Sequence, residues 1–205
     1  MAISFKKLTN PATTAITMAD ALRHLRLIIT DDDIATVEAT EIAYVTGLIK
    51  AAEGYCESYC RRNFVPKDWA CYLDAFPIDG ILLIQKSPVI SVTEVKYFDA
   101  SGSEQTLDAA NYEVDLVSEP ARIRFKNVPT IADKLNAISI KFSAGLAGTG
   151  GTYDNTLLPL TVKSAMLLIV GHLYEHREEV VVGVTQNEID FGVDRLLDTE
   201  RLFMF

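Results

Sequence analysis

The chain has 205 residues, of which 49% are hydrophobic and 23% are charged, a composition typical of a soluble globular protein with one domain or two small lobes. No apolar run approaches the roughly 18–20 residues that span a bilayer, and no apolar segment follows the two N-terminal lysines, which predicts no signal peptide and synthesis in the cytoplasm. The net charge of −9 opposes tight binding of nucleic acid. It still allows a protein that lets DNA pass without holding it.

The three cysteines are Cys56, Cys60 and Cys71. An odd number without a signal peptide argues against a disulfide framework. Cys56 and Cys60 share one helical face, but no second cysteine pair follows that would complete a zinc site. Buried free thiols are therefore the prediction.

Residues 1–16 show no clear periodicity and are predicted to be irregular. The segment 17–29, TMADALRHLRLII, has a short helical pattern. Thr30 is followed by three aspartates, which form a variant of the capping box and suit the positive end of a helix dipole. A calcium loop is the alternative, but the acids lack its alternating spacing and its glycine. A long helix is therefore predicted for 32–62, ending near Arg61, Arg62 and Asn63.

The hydrophobic period then changes from that of a helix to that of strands. Six short runs rich in β-branched and aromatic residues are separated by turn signals, at 69–76, 81–85, 89–99, 111–116, 121–126 and 137–144. They predict an antiparallel β-rich lobe near 68–143. The following stretch, 144–158, is a glycine-rich loop without the Gly-Lys-Ser/Thr that a phosphate-binding loop needs.

Pro159 marks the start of a second long helix, predicted for 159–178. Its segment 165–170 is apolar on all sides and is predicted to lie in the middle of the fold. A loop with β-prone ends follows at 180–193, and the last short helix spans 193–203. The predicted fold class is α+β, with a helical core and an inserted β-rich lobe.

The segment 171–179, GHLYEHREE, contains the pattern H-x-x-E-H of one class of zinc peptidase. His172, Glu175 and His176 share a helical face and are the candidate zinc residues. A catalytic zinc needs a third protein ligand, yet only 29 residues follow His176 and the remaining histidine, His24, lies in the first helix. The alternative is that both histidines continue a buried stripe toward the polar helix end.

An ordered set of segments resembles the head–tail connector (adaptor, or head-completion) proteins of tailed bacteriophages and prophages. The set extends from about residue 18 to 203 and consists of ADALRHLRL, SPVISVTEVKYFDASGSEQTL, NYEVDLVSEPARIRF, ISIKFSAG, HLYEHREE and GVDRLLDTERLF. No single segment is highly specific, but the ordered set is fairly specific. In the family HLYEHREE matches a helix end without zinc, so the resemblance favours an incidental motif.

The resemblance implies a structural virion protein rather than an enzyme, with no catalytic residues and no cofactor. Such proteins form a ring, dodecameric in the virion, beneath the portal. The ring extends the DNA channel and binds a tail or stopper protein, with no membrane involved. The expected location is the virion, after assembly in the host cytoplasm. The domain prediction is a single connector domain, 1–205, with sub-regions 17–64, 65–150 and 159–205.

The chain end is apolar and is the candidate surface for docking on a partner, because exposed apolar side chains are costly. The docking residues predicted from the sequence are Leu196, Leu197, Leu202, Phe203, Met204 and Phe205. The alternative is that this end folds back on its own subunit. Two other function classes stay open at this point: a different tail-completion or assembly factor, and a zinc hydrolase that uses His172, Glu175 and His176.

Overall fold

The computed structural model describes residues 3–11, 13–146, 153–176 and 190–202. They form two compact units, one of strands and one of helices. Unit 1 contains described residues 3–11, 65–146 and 153, and unit 2 contains 13–64, 154–176 and 190–202. The predicted α+β class is confirmed.

Unit 1 is built from eight antiparallel strands in two sheets. The larger sheet has the order β1-β2-β8-β4-β5, with β1 at Ile3–Lys7, β2 at Lys67–Leu73, β8 at Ile138–Ala144, β4 at Val89–Phe98 and β5 at Glu104–Thr106. The smaller sheet has the order β3-β7-β6, with β3 at Ile81–Ile84, β7 at Ala121–Phe125 and β6 at Tyr112–Asp115. A short 3-10 helix, Ala109–Asn111, precedes β6.

Strict alternation of side chains explains how the two sheets share one core. In β7, Ala121, Ile123 and Phe125 are buried while Arg122 and Arg124 between them are exposed. Period-two alternation of this kind places one face of a strand on the core and the other in water. The shared core also includes Leu73, Leu82, Ile84, Val95, Ile138, Ile140 and Phe142.

All six predicted strands are confirmed, but two strands were missed. Residues 3–7, predicted to be irregular, form β1, which pairs with β2 from Ile3 opposite Leu73 to Lys7 opposite Trp69. Phe5 of β1 also packs edge-on against Phe142, with ring centroids 6.3 Å apart. The second missed strand, β5, has no buried side chain and is defined by its pairing with β4.

Unit 2 contains four α-helices: α1 at Met18–His24, α2 at Ala39–Cys60, α3 at Leu160–Glu175 and α4 at Asp190–Asp198. Two 3-10 helices, Asp31–Thr36 and Asn155–Leu157, precede α2 and α3. Helix α3 packs against each of the other three. Within the ranges described, no helix is both long enough and apolar enough to cross a membrane.

The long helix predicted for 32–62 begins later than expected. Thr30 does form the predicted capping box, with its backbone N–H 2.8 Å from a carboxylate oxygen of Asp33. This box starts the short 3-10 helix, however, because Val37 and Glu38 adopt extended backbone conformations and interrupt the chain before α2. The predicted helix end is confirmed: Arg61 takes the left-handed conformation, with φ 56°, directly after Cys60.

The prediction that 165–170 is buried on all sides is wrong. Val162, Ala165, Met166 and Val170 are buried, but Leu168 is 40% exposed. One side of α3 faces the interior of unit 2 and the other side faces solvent. Described residues of the predicted helix 159–178 end at His176, and residues 177–178 lie outside the described ranges.

Two polar contacts hold the start of unit 2 in place. The backbone N–H of Ala15 donates to the carboxylate of Glu53, a buried residue of α2, over 3.1 Å. Lys163 of α3 forms an ion pair with Asp20 of α1 at 2.8 Å. A buried carboxylate is costly unless it is hydrogen-bonded, so the bond from Ala15 offsets part of the cost of burying Glu53.

Candidate functional site

The two histidines of the H-x-x-E-H pattern lie on the last turn of α3. Their rings stack, with centroids 4.7 Å apart and an angle of 25° between the planes. A ring nitrogen of His176, Nδ1, lies 3.3 Å from the carbonyl oxygen of His172. Glu175 and His176 are exposed, whereas His172 is half-buried. The structure thus brings the two histidines together, as the helical spacing predicts.

A third zinc ligand does not join them in the described part of the chain. No cluster of three or more His, Cys, Asp or Glu side chains there has the geometry to hold a metal ion. The remaining histidine, His24, packs on α3 beside Gly171, where an added Cβ would lie 3.2 Å from its Nε2. The described residues therefore give the zinc alternative of His172, Glu175 and His176 no third ligand, and stacked histidines near a helix end account for the motif.

All three cysteines are buried and free, as predicted. Burial raises the pKa of Cys56 to about 12, that of Cys60 to about 11 and that of Cys71 to about 12. Since the thiolate is the form that binds metal and reacts, these neutral thiols are packing residues.

The chain end folds back onto its own helices as far as the structure describes it. Leu197 and Leu202 are buried in unit 2, and Leu196 is half-buried. The backbone N–H of Leu202 donates to the carbonyl of Cys60 at the end of α2, over 2.9 Å. Two of the six predicted docking residues, Leu197 and Leu202, are thus used within the subunit. Phe203, Met204 and Phe205 lie outside the described residues.

Two tyrosines of α2 donate hydrogen bonds to two aspartates of α4. Tyr55 and Tyr59 stack with centroids 6.2 Å apart. Their hydroxyls donate to Asp194 over 3.2 Å and to Asp198 over 2.8 Å. Residues four apart on one helix thus bind residues four apart on the other. Sequence analysis missed this contact, although the repeated spacing of tyrosines and aspartates is visible in the sequence.

The contact of Tyr59 predicts a loss of stability at alkaline pH. The hydrogen bond to Asp198 raises the pKa of Tyr59 to about 12, from about 10 in an unfolded chain. Only the protonated phenol donates this bond, so its contribution is complete below pH of about 10 and is lost as the pH rises toward 12. We expect Tyr59→Phe to be less stable than the wild type at neutral pH, with the difference shrinking between pH 10 and 12.

Urea unfolding at a series of pH values measures this difference. The two proteins differ only at residue 59, so the difference between their stabilities isolates Tyr59. Tyr55→Phe is the matched control and should lose less, because its bond to Asp194 is longer. A gap between wild type and Tyr59→Phe that stays constant from pH 7 to 12 contradicts the assignment.

Unit 1 exposes an apolar hairpin tip between β6 and β7. Val117 is 95% exposed and Leu116 beside it is also exposed. The carboxylate of Asp115 holds the turn, because it accepts bonds from the Ser118 hydroxyl at 2.7 Å and from Arg122 Nε at 2.9 Å. These bonds hold the pKa of Asp115 well below its usual range.

Unit 2 carries two further exposed faces that sequence analysis missed. One is on the 3-10 turn before α3 and on α3 itself, and consists of Leu157, Leu160, Ser164 and Leu168. The other is on α2 and consists of the small residues Ala43, Gly47, Ala51 and Gly54. The sequence could have indicated the face on α2, because it places two glycines inside a predicted helix, where glycine is unfavourable.

Comparison with known proteins finds similarity in solved structures. No protein-family model matches the chain, and no curated protein matches it. A chain in the neck of an empty gene transfer agent (GTA) particle, computed with C6 symmetry, has a TM-score of 0.75 and 23% identity, covering 98% of this chain and 97% of that one.

Two more solved chains give the same result. A chain in the virion of a native gene transfer agent particle has a TM-score of 0.73 and 23% identity, over 98% of this chain and 96% of that one. A chain in the neck of the native particle, computed with C12 symmetry, has a TM-score of 0.63 and 19% identity, over 98% and 97%. The chain therefore shares, over nearly its whole length, the fold of neck and virion proteins, in agreement with its resemblance to head–tail connectors.

Proposed function

We propose that this chain is a structural neck protein of a tailed phage or prophage particle, a head–tail connector. In this proposal its copies form a ring of twelve between the capsid portal and the tail or stopper protein, and the ring extends the DNA channel. The observation that carries the proposal is the likeness of fold along 98% of the chain to proteins in necks and virions. The sixfold and twelvefold symmetries used for the two neck structures support a ring of copies.

The electrostatics support a channel rather than a DNA-binding surface. A net charge of −9 repels the phosphate backbone, and DNA that must slide through a ring is best served by weak, non-specific contacts. The proposal includes no sequence-specific DNA binding, no membrane, no cofactor and no catalytic activity. Its location is the virion, with assembly in the host cytoplasm.

Two of the six residues predicted to dock on a partner are buried within the subunit, so four remain for docking. Leu197 and Leu202 fasten α4 and the following residues to unit 2. We propose that Leu196, Phe203, Met204 and Phe205 form the part that contacts the portal or the next protein. Burying a phenylalanine side chain contributes roughly 1.5–3 kcal/mol, enough to matter at an interface.

Two truncations separate docking from folding. Deleting residues 203–205 leaves the contact of Leu202 with Cys60 in place, so we expect the wild-type melting temperature but a loss of binding to portal-bearing heads that lack tails. Deleting 199–205 also removes Leu202, so we expect a lower melting temperature. Thermal melting by circular dichroism and co-sedimentation with tail-free heads measure the two effects.

The wild-type protein is the test of the function itself. We expect it to co-sediment with tail-free heads at a constant ratio and to appear as a ring at the portal vertex in electron micrographs. Heads stripped of portal are the control and should bind none. A wild-type protein that binds the free ends of tails but not heads would point instead to a tail-completion factor.

A further inference from the structure

Among the described residues, the two sheets of unit 1 end in four edge strands, and three of these carry charged side chains. In the larger sheet the edge strands are β1, which carries Lys6 and Lys7, and β5, which carries Glu104. In the smaller sheet the edge strand β6 carries Glu113 and Asp115. Charged residues on an edge oppose pairing with a further strand, so these three edges are protected against association.

The fourth edge strand, β3, has no such protection. Its sequence is Ile-Leu-Leu-Ile, with neither a charge nor a proline. Leu82 and Ile84 are buried in the core. Ile81 and Leu83, on the other face of the strand, are 41% and 43% exposed, and Ile78 in the preceding turn is fully exposed. An aliphatic edge strand without charges readily accepts another strand, which makes β3 the candidate for an interaction surface.

The backbone of β3 presents hydrogen-bonding groups at this edge. The carbonyl of Gly80 accepts from the N–H of Phe125 over 2.8 Å, so Gly80 faces β7. Because the direction of the backbone groups alternates along an antiparallel strand, Ile81 and Leu83 face away from β7. The N–H of Ile81 donates to the Asp79 carboxylate over 3.2 Å. The Ile81 carbonyl and both backbone groups of Leu83 have no partner among the described residues.

The outer face of the smaller sheet also offers a positive charge beside this edge. Arg124 of β7 is exposed and lies opposite Ile81. Glu113, on the other side of Arg124, is paired with Lys126 at 2.7 Å, and Arg124 forms no ion pair with a described residue. A strand added beside β3 is two strand spacings, or about 10 Å, from β7. An arginine and a glutamate side chain together reach across that distance.

We propose that the edge of β3 binds an extended segment of a partner protein as a fourth strand of the smaller sheet. An added strand satisfies the alternating donors and acceptors of an edge, so the backbone identifies the occupant as extended chain. The exposed side chain of Leu83 favours an aliphatic residue opposite it. Arg124 favours a glutamate opposite Ile81, whose methylene groups pack on Ile81 while its carboxylate reaches the guanidinium. The inference goes beyond the proposed function and adds a second contact surface to the chain end.

Nuclear magnetic resonance on the full chain labelled with nitrogen-15 tests this inference, because it follows single backbone amides. The probe is the capped peptide Thr-Val-Thr-Glu-Thr-Val-Thr, which places a glutamate between two valines on one face. We expect saturable shifts of the amides at 81–85 and slower hydrogen exchange of the Leu83 amide. With the peptide at about ten times its dissociation constant, exchange should slow about tenfold, because only the unbound chain exchanges.

Two variants with exposed positions separate the edge from the charge. Leu83→Lys gives β3 the kind of protection that β1 has, so it should fold and lose the shifts. Arg124→Gln keeps the edge and should bind the peptide about two- to fivefold more weakly, as expected for an exposed ion pair. A peptide with glutamine in place of glutamate should bind the wild type with the same loss, and Arg124→Gln should weaken its binding no further.

Four results overturn the inference. A Leu83 amide that is already protected in the isolated subunit would show that another part of the same chain covers the edge. Protection that grows with protein concentration in the absence of peptide would assign the edge to a second copy. Shifts that persist in Leu83→Lys, or that are as large at β1, β5 and β6, would show unspecific association. The absence of saturable shifts at millimolar peptide would show that the edge does not accept a strand.

Discussion

Met166→Asp is expected to abolish cooperative folding of unit 2. Met166 is fully buried in the middle of α3, the helix that packs against α1, α2 and α4. Burying an unpaired carboxylate costs several kcal/mol, and the whole stability of a domain is only about 5–15 kcal/mol. Circular dichroism should show reduced helix content and no sharp thermal transition.

Leu168→Asp is the matched control for this substitution. It makes the same chemical change two residues away in the same helix, but on the exposed side. We expect it to melt within a few degrees of the wild type, because surface substitutions usually change stability by less than about 0.5 kcal/mol. Similar melts for the two variants would mean that α3 is rotated relative to the orientation described above.

The contrast between these two residues shows what the sequence of α3 could not reveal. Periodicity identifies the buried side of a helix only when polar residues mark the other side. Residues 165–170 are all apolar, so the pattern there gives no direction. The exposed side is set by which neighbours cover the helix, and that information lies in contacts distant along the chain.

The strands show the same difference between local sequence features and contacts distant along the chain. The six predicted strands have β-branched and aromatic residues bounded by turn signals, which are local features. The strand β5 is Glu-Gln-Thr with every side chain exposed, so only its pairing with β4 identifies it. The strand β1 exists because β2, some sixty residues later, offers it an edge. Strands of this kind cannot be predicted from their own residues.

The candidate sites were predictable to the extent that they depend on helical spacing. The spacing correctly predicted that His172 and His176 share a face, and the rings stack. A metal site needs a further ligand from elsewhere in the fold, which spacing cannot supply. The sequence could not predict where the chain end packs, because the hydrogen bond from Leu202 to Cys60 joins residues far apart in sequence.

Gly47 and Gly145 have opposite surroundings. Gly47 faces open space on a helix, whereas Gly145 directly follows β8 and has φ +147°. A Cβ at Gly145 would lie 2.5 Å from the backbone nitrogen of Pro66 and 2.6 Å from the carbonyl carbon of Val65. The backbone N–H of Gly145 also donates to the carbonyl of Pro88 over 2.8 Å. The backbone at Gly145 is thus held between the close approach of Val65 and Pro66 and the hydrogen bond to Pro88.

Gly145→Ala is therefore expected to destabilise unit 1 strongly. The clash is with backbone atoms just before β2, so relief requires moving the start of that strand away from β8, the strand it pairs with. The unfavourable φ adds to the cost. We expect a loss of about 3 kcal/mol or more, equivalent to a fall of roughly 6–12 °C in melting temperature for a chain of this size.

Gly47→Ala makes the same chemical change with the opposite expected sign. It should raise stability by about 1 kcal/mol, because alanine is the better helix former and no atom of the described residues lies within 4 Å of its Cβ. Thermal melting of both variants and the wild type measures the two changes in stability. A Gly145→Ala protein that melts with the wild type would show that β2 and β8 approach less closely than described. A Gly47→Ala protein that is less stable than the wild type would show that the exposed side of α2 is covered within the subunit.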